Sequence, residues 1–322
     1  MEYKTLGRTG LRVSVAGLGC GGFSRLGLGT GKSKAEAVAL IRQAFDLGVN
    51  LLDTAAAYGT EEIVGEAIKA VPRESVVIAT KAWLPRGDGR HAAERAVTSL
   101  DNSLRRLGTD YIDVFQLHGV LPQGYAEARD VIAPVLLAEK AKGKLRHLGV
   151  TEAASEDPEH EMLERAVEDE VWDVVMVAFH MMHQNARTKV FPRTIANRIG
   201  TLLMFAVRNI FSRPERLATA LSELTARREL PRWLALAPNP LGFLVHERGA
   251  ASIVEAAYRF VRHEPGVDVV LFGTGDPEHL RANIASLLAP PLPTADRLTL
   301  TKLFGHLSGV GLDPPWGMPG SP

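Results

Sequence analysis

Short segments of almost unbroken apolar residues alternate along the chain with longer amphipathic segments. An apolar segment without polar interruptions is typical of a β-strand that is covered on both faces. The amphipathic segments carry apolar residues near i, i+3, i+4 and i+7, which predicts helices; the first runs from Ala37 to Leu47 and stops at Gly48. The strands predicted in this way cover residues 15–19, 50–55, 76–81, 111–118, 145–151, 173–179, 201–207 and 267–272.

This alternation predicts the fold class, because strands that alternate with helices favour parallel pairing with right-handed crossovers. About eight strands is the number that closes a (β/α)8 TIM barrel, and a doubly wound open sheet is the alternative. The pattern also predicts a β-hairpin before the barrel, a loop and helix insertion near residues 209–249, and a C-terminal helix with a Pro/Gly-rich tail from Gly309. No segment has the composition of a linker, so we expect a single domain over residues 1–322.

Composition and charge narrow the class of protein. Of the 322 residues, 46% are apolar and 23% are charged, as in globular proteins. Lys+Arg and Asp+Glu number 37 each, which leaves no positive excess for binding nucleic acid. The single cysteine, Cys20, argues against a disulfide framework and against a multi-thiolate metal site. The first residues lack the pattern of a signal peptide and no apolar run approaches ~20 residues, so we expect a cytoplasmic protein with no membrane partner.

Two glycine-rich segments resemble phosphate-binding motifs. Gly17 to Gly22 satisfies G-x-G-x-x-G, but that fingerprint must open a helix at once, and helical spacing begins here only near Lys34. Gly27 to Ser33 resembles a P-loop that is one residue too short. We therefore expect a strand end with an open loop, followed by a flexible loop over an active site; a Rossmann turn is the alternative for the first segment.

Ionisable residues end three consecutive predicted strands. Asp53, Lys81 and His118 occupy these ends, and Tyr58 follows in the loop after the first of them. A buried charge without a partner costs several kcal/mol, so these side chains are expected to face one pocket and to neutralise each other. Each residue alone has an ordinary explanation: a helix cap, a solvated lysine, a satisfied core histidine or a turn tyrosine.

Together the four side chains suit one kind of reaction. An ammonium within ~4–6 Å of a phenol is expected to lower the phenol pKa from its value of about 10 in water. Asp53 would keep Lys81 charged, and His118 could bind a carbonyl oxygen. The set therefore predicts a site in which Tyr58 protonates a carbonyl oxygen while a hydride reaches the carbon.

Motifs around these residues resemble the aldo-keto reductase family over nearly the whole chain. They are Leu6–Leu11, Asp53–Ala55 with Tyr58–Gly59, Ala79–Lys81, Leu107–Asp113, Gln116–His118 and Gly143–Val150. The resemblance implies a (β/α)8 barrel that binds an extended nicotinamide dinucleotide without a Rossmann domain. It also implies that Asp53, Tyr58, Lys81 and His118 form the catalytic tetrad, with Tyr58 as the proton donor.

The resemblance implies cofactor contacts that this sequence matches only in part. Thr151 and Glu152 stand where the family usually has serine and asparagine, and Met176 stands in place of its glutamine. Phe205 is the candidate for stacking on the nicotinamide ring. These four positions would hold the nicotinamide end of the cofactor.

The adenosine end is expected after the last strand. The implied contacts there are Gly273, Thr274, Gly275, Asp276, His279 and Asn283. The arginine that often meets the 2′-phosphate is missing, although Arg281 could substitute for it, and Asp276 would repel a phosphate or accept from a free 2′-hydroxyl. We expect NADP(H) as the cofactor in preference to NAD(H).

An aromatic pocket is expected for the substrate. Phe23, Trp83 and Trp316 are its candidate residues beside the tyrosine, although Trp316 could instead pack on the outside of the barrel. His180 and His183 have the i, i+3 spacing of metal ligands, but no third ligand accompanies them, so packing is expected and no metal site.

The predicted function is NAD(P)H-dependent reduction of an aldehyde or ketone to an alcohol. One alternative is an NAD-dependent sugar or alcohol dehydrogenase of the same family. Another is a weakly catalytic subunit that senses the redox state of its cofactor. The expected partner is a small carbonyl compound and not a nucleic acid, and the protein is expected to be a monomer or a small homo-oligomer.

Overall fold

Strands and helices alternate through the chain much as the sequence pattern predicts. The computed structural model describes residues 1–83 and 89–312. The strands in these ranges are β1 (Tyr3–Thr5), β2 (Arg12–Ser14), β3 (Ala16–Gly19), β4 (Leu51–Asp53), β5 (Val77–Ala82), β6 (Ile112–Val120), β7 (Leu145–Glu152), β8 (Val174–Ala178), β9 (Gly200–Met204) and β10 (Val269–Phe272).

Helices connect the strands and cover the outside of the sheet. They are α1 (Lys34–Asp46), α2 (Glu61–Ile68), α3 (Arg90–Leu107), α4 (Tyr125–Glu127), α5 (Ala133–Ala141), α6 (Glu161–Ala166), α7 (Ala186–Lys189), α8 (Phe191–Asn197), α9 (Arg208–Ser212), α10 (Pro214–Ala226), α11 (Arg232–Leu236), α12 (Ile253–Arg262), α13 (Pro277–Leu288) and α14 (Thr294–Phe304). None of those in the described ranges combines the length and hydropathy that crossing a bilayer requires.

The strands β3 to β10 close into a parallel barrel. Each pairs with the next in chain order, and β10 pairs with both β9 and β3, so the eight strands form a ring. β1 and β2 form a separate antiparallel hairpin. The predicted (β/α)8 barrel and hairpin are confirmed, and the doubly wound alternative is excluded because the sheet has no open edge.

Successive residues of the barrel strands point alternately into the barrel and out toward the helices. Leu51 belongs to the inner apolar cluster, whereas Leu52 packs in the outer one. Leu6 and Val13 of the hairpin region are fully buried in the inner cluster. The hairpin therefore packs into the lower end of the barrel and leaves the upper end, where the strands end and the loops to the helices begin, for a site.

The glycine-rich segment after β3 does not open a helix. A 3-10 turn, Arg25–Thr30, follows β3, and α1 begins only at Lys34 after the capping residue Ser33. The predicted strand end is confirmed and a Rossmann turn is excluded. Leu26 is buried and Lys32 Nζ donates to the carbonyl oxygen of Gly275 at 2.6 Å, so the second segment is tethered to the loop after β10.

The end of β9 differs from the prediction. The strand stops at Met204 because Phe205 has a positive φ of 73°, which an extended strand does not allow. The chain then enters α9, α10 and α11, which account for most of the predicted insertion. The predicted C-terminal helix is α14.

Candidate active site

A buried ion pair joins the ends of β4 and β5. Asp53 and Lys81 are 4% and 1% exposed. Lys81 Nζ donates to the two carboxylate oxygens at 2.6 and 2.7 Å and to the carbonyl oxygen of Thr54 at 3.0 Å. Burial disfavours the ammonium, but the negative charge of Asp53 and its hydrogen bonds outweigh this effect and raise the pKa of Lys81. The lysine therefore stays charged inside the barrel mouth.

Tyr58 lies against this pair in the loop between β4 and α2. Lys81 Nζ is 5.2 Å from the centre of its ring. A Cβ at Gly21 would lie 2.4 Å from Cε2 of the ring, so the glycine makes room for the phenol. Burial raises the pKa of Tyr58, and the charge of Lys81 opposes this only in part. The expected net lowering of the phenol pKa is therefore wrong: lost hydration outweighs the ammonium, and the phenol is protonated at neutral pH.

His118 completes the group from β6. Its ring meets the Tyr58 ring edge to face, with centroids 5.7 Å apart and an interplanar angle of 87°. Burial lowers the pKa of His118 to about 3, and the charge of Lys81 acts in the same direction. The imidazole is therefore neutral, and its Nδ1 has no hydrogen-bond partner within the described ranges. The structure thus brings together the four residues that the sequence places at three strand ends and one loop.

The end of β7 is arranged differently. Thr151 Oγ1 accepts a hydrogen bond from the backbone N–H of Gly119 at 2.7 Å. The side chain of Glu152 has no exposed surface: one oxygen accepts from the N–H of Ala178 at 2.7 Å, and the other lies 2.6 Å from His160 Nδ1. Both oxygens of Glu152 are thus bound to protein groups, and its contact with a cofactor stays a prediction.

The partner of Glu152 is a residue that the sequence analysis missed. His160 Nε2 lies 2.9 Å from Asn185 Oδ1, and the amide nitrogen of Asn185 donates to Pro158. Both ring nitrogens of His160 thus face acceptors. Burial disfavours the imidazolium, but Glu152 and Asn185 outweigh it and raise the pKa of His160. Glu152 itself was the available signal, since a carboxylate on an outward strand position needs a buried cation.

The residues expected to contact the nicotinamide on β8 and after β9 are an apolar side chain and an aromatic ring that already contacts an arginine. Met176 pairs with Thr151 in the ladder and belongs to the inner cluster, so no amide lies at this position. Phe205 is partly exposed, and the Arg208 guanidinium lies 4.3 Å from its ring centre. Stacking of Phe205 on a nicotinamide stays a prediction.

His180 and His183 pack together beyond the end of β8. Both are fully buried, with ring centroids 5.8 Å apart, and burial lowers their pKa values to about 3 and about 2. His183 Nδ1 accepts the N–H of Gly309, so the pair holds the C-terminal segment. No group of three metal-binding side chains occurs in the part of the chain that the structure describes.

Asp276 caps the helix that follows the last strand. Its Oδ1 accepts the backbone N–H groups of Glu278 and His279 at 2.7 and 3.2 Å, and these bonds hold the pKa of Asp276 below its usual value. The charges of His279 and Lys32 act in the same direction. The carboxylate is therefore engaged with the start of α13, and the charge of Lys32 lies near enough to favour its ionised form.

Comparison with known proteins identifies the group to which this chain is related. The sequence profile of the Aldo/keto reductase family matches residues 17–303. The chain belongs to this family. It is 31% identical over 298 residues to Aldo-keto reductase YhdN of Bacillus subtilis. The aligned region covers 88% of this chain and 87% of that protein.

Two further relatives extend the comparison. L-galactose dehydrogenase of Arabidopsis thaliana is 37% identical over 157 residues, about half of each chain (47% and 48%). The structure of a putative aldo-keto reductase from Pseudomonas aeruginosa superposes with a TM-score of 0.64 at 27% identity, over 88% of this chain and 93% of that one. Membership of the aldo-keto reductases supports an oxidoreductase that acts on carbonyl compounds.

Aldo-keto reductases use nicotinamide cofactors in general, and one end of the expected site fits such a group. Gly273 is exposed after β10, and a Cβ there would lie 3.4 Å from the carbonyl oxygen of Gly19, so a side chain would narrow this approach to the backbone. Thr274 Oγ1 fixes this loop by accepting the N–H of Asp276, and Asn283 lies partly exposed on α13. The nicotinamide end fits less well, because Glu152 and Met176 offer no amide.

Two of the three aromatic residues predicted for the substrate pocket lie at exposed positions. Phe23 and Trp83 are 50% and 60% exposed. Trp83 Cδ1 is 3.9 Å from the position of a Cβ at Gly119, which places the indole beside the residue that follows His118. Trp316 lies outside the described residues.

Proposed function

We propose that this aldo-keto reductase reduces an aldehyde or ketone to an alcohol with NAD(P)H, and that Tyr58 is the proton donor. One observation carries the proposal. The ring of Tyr58 lies 5.2 Å from Lys81 Nζ, which Asp53 binds, and it meets the ring of His118 edge to face. This arrangement supports a reaction in which a phenol gives up its proton beside a cation.

Each residue has a role that follows from its surroundings. Tyr58 gives its proton to the carbonyl oxygen as negative charge develops there, and the ammonium of Lys81 stabilises the phenolate that remains. Asp53 keeps the ammonium charged and fixes its direction. The neutral imidazole of His118 donates a hydrogen bond to the same carbonyl oxygen. A bound nicotinamide dinucleotide supplies the hydride to the carbonyl carbon.

The substitution Tyr58→Phe tests this assignment. It removes the proton donor and retains the ring, so kcat for an aromatic aldehyde should fall about a thousandfold while the Kd for the cofactor changes less than about twofold. Tyr258→Phe is the matched control, because Tyr258 is buried in α12. Wild-type turnover by the Tyr58→Phe variant would refute the role of Tyr58.

The proposal includes NADP(H) in preference to NAD(H). The supporting observation is the environment of Asp276, whose carboxylate binds two backbone N–H groups and lies near Lys32 and His279. Its charge is thus offset where a 2′-phosphate is expected. Fluorescence titration should give a Kd for NADPH about tenfold lower than for NADH, and equal or reversed affinities would contradict this choice.

A second candidate is an NAD-dependent dehydrogenase that runs the hydride in the opposite direction. The similarity of half the chain to L-galactose dehydrogenase favours it. Oxidation of sugars or alcohols with NAD, faster than reduction of any aldehyde, would support this candidate. Cofactor binding without turnover in either direction would instead support the redox-sensing subunit, which the absence of an amide at Glu152 and Met176 favours.

The proposal assigns a small carbonyl compound as the substrate and the cytoplasm as the place of reaction. Gel filtration with light scattering would decide between a monomer and a small homo-oligomer.

A further inference from the structure

The ladder between β6 and β7 is interrupted beside His118. Leu117 and Val120 of β6 are paired, whereas a single residue of β7, Thr151, lies between their partners. His118 and Gly119 thus lie together opposite one residue, which defines a β-bulge. Gly119 has a φ of +65°, a region that glycine adopts without strain. A bulge bends its strand and redirects a side chain, here the imidazole of His118.

The side chain of Thr151 satisfies the backbone group that the bulge leaves unpaired. Thr151 is 1% exposed, and its Oγ1 accepts the N–H of Gly119 at 2.7 Å. This amide belongs to the peptide bond that joins His118 to Gly119. This N–H is partly buried, so without the hydroxyl it would need another acceptor, and the peptide would be free to turn toward one.

The His118 ring has few contacts of its own that would fix its direction. Its Nδ1 has no hydrogen-bond partner among the residues that the structure describes, and its ring packs edge to face on Tyr58. We propose that Thr151 is a positioning residue: by accepting the N–H of Gly119 it fixes the bulge that holds the ring of His118 against the ring of Tyr58. This inference rests on the proposed function, since it assigns His118 to the same carbonyl oxygen.

A direct contact between Thr151 and the cofactor is the competing explanation. The hydroxyl of Thr151 accepts from Gly119 and can still donate its own proton to a ligand. Thr151→Val removes both capacities at nearly constant volume, and Thr151→Ser keeps both. The two explanations differ in the quantity that changes: a positioning residue affects kcat, whereas a cofactor contact affects the cofactor Kd.

Thr201 provides a matched control at the other end of the barrel. It is fully buried at the start of β9, and its Oγ1 accepts the N–H of Asp268 at 2.9 Å. Thr201→Val therefore removes the same kind of side-chain to backbone bond far from Tyr58. It should lower thermal stability and leave kcat for benzaldehyde within about twofold of wild type.

The experiment measures kinetics and amide exchange together. In Thr151→Val, kcat for benzaldehyde should fall about 10- to 100-fold, with the KM and the NADPH Kd within about threefold of wild type. Thr151→Ser should restore kcat to within about threefold. Hydrogen exchange at the Gly119 amide, followed by NMR, should be faster in the valine variant only.

Two results would overturn the inference. One is a Thr151→Val variant with wild-type kcat and unchanged Gly119 exchange. The other is a variant whose only defect is weaker NADPH binding. If the wild type reduces no carbonyl compound, the proposed function fails by itself. Faster Gly119 exchange together with a shifted His118 ring resonance in Thr151→Val would then still support the positioning role.

Discussion

Two buried pairs of opposite charge lie at the barrel mouth and differ in their surroundings. Asp53 and Lys81 point into the barrel, and the ammonium lies beside the ring of a tyrosine. Glu152 and His160 point out of it, and each polar atom of that pair meets another protein group. The first pair can therefore affect a reacting molecule, whereas the second can only hold the scaffold.

The difference shows that a buried ion pair is not by itself a sign of catalysis. Both pairs contain a carboxylate and a cation with a raised pKa. What distinguishes them is a neighbour that can still exchange a proton. Tyr58 is such a neighbour for Lys81, whereas His160 lies beside the amide of Asn185 and the neutral imidazole of His183, whose Nδ1 already accepts the N–H of Gly309.

The largest effect is expected from Lys81→Met. In the proposed reaction this cation would stabilise the phenolate, and its removal also leaves Asp53 buried without its partner, so kcat should fall about 1,000- to 10,000-fold. The free energy of unfolding should fall as well, by about 3 kcal/mol. Steady-state kinetics and urea denaturation measure the two quantities. A variant that retains more than a tenth of wild-type kcat would remove the lysine from the mechanism.

A smaller and different effect is expected from Glu152→Gln. The amide is isosteric but uncharged, so His160 loses its counter-ion and the free energy of unfolding should fall by about 2 kcal/mol. Because this pair faces away from the reacting groups, kcat should change less than about fivefold. A drop in kcat comparable to that of Lys81→Met would show that the contrast between the two pairs is wrong.

The smallest effect concerns pH. Since the pKa of His160 is raised in the folded protein, its stabilisation is complete below the unfolded value of about 6.5 and is lost as the pH rises through the folded value. The stability difference between wild type and Glu152→Gln should therefore be larger at pH 6 than at pH 9. Urea melts at both pH values measure it, and a difference that grows with pH would contradict the assignment.

The sequence pattern was sufficient to predict the barrel and to bring Asp53, Lys81 and His118 together near Tyr58. Asp53 and Lys81 lie on the same inward face of their strands as Leu51 and Val77, so the alternation of side chains along a strand alone directs them into the mouth of the barrel. The same alternation places Glu152 on the outer face of β7 with Val150, which belongs to the outer cluster. The family resemblance instead predicted a cofactor contact at Glu152.

Other features required coordinates. The bulge at Gly119 depends on a register shift that no local pattern fixes, although a glycine directly after His118 was a hint. The sign of the pKa change at Tyr58 depends on the balance between lost hydration and one ammonium. The sequence identifies both contributions, but their relative size depends on how much of the ring is covered.

Leu6 and Val13 of the hairpin region fill the lower end of the barrel, and this has a consequence for the turnover of the proposed enzyme. In the proposed reaction, a barrel that is closed at its lower end has a single entrance, so the alcohol must leave by the route through which the carbonyl compound entered. The next substrate molecule can then bind only after the product has left, so a product that dissociates slowly competes with the substrate for the site.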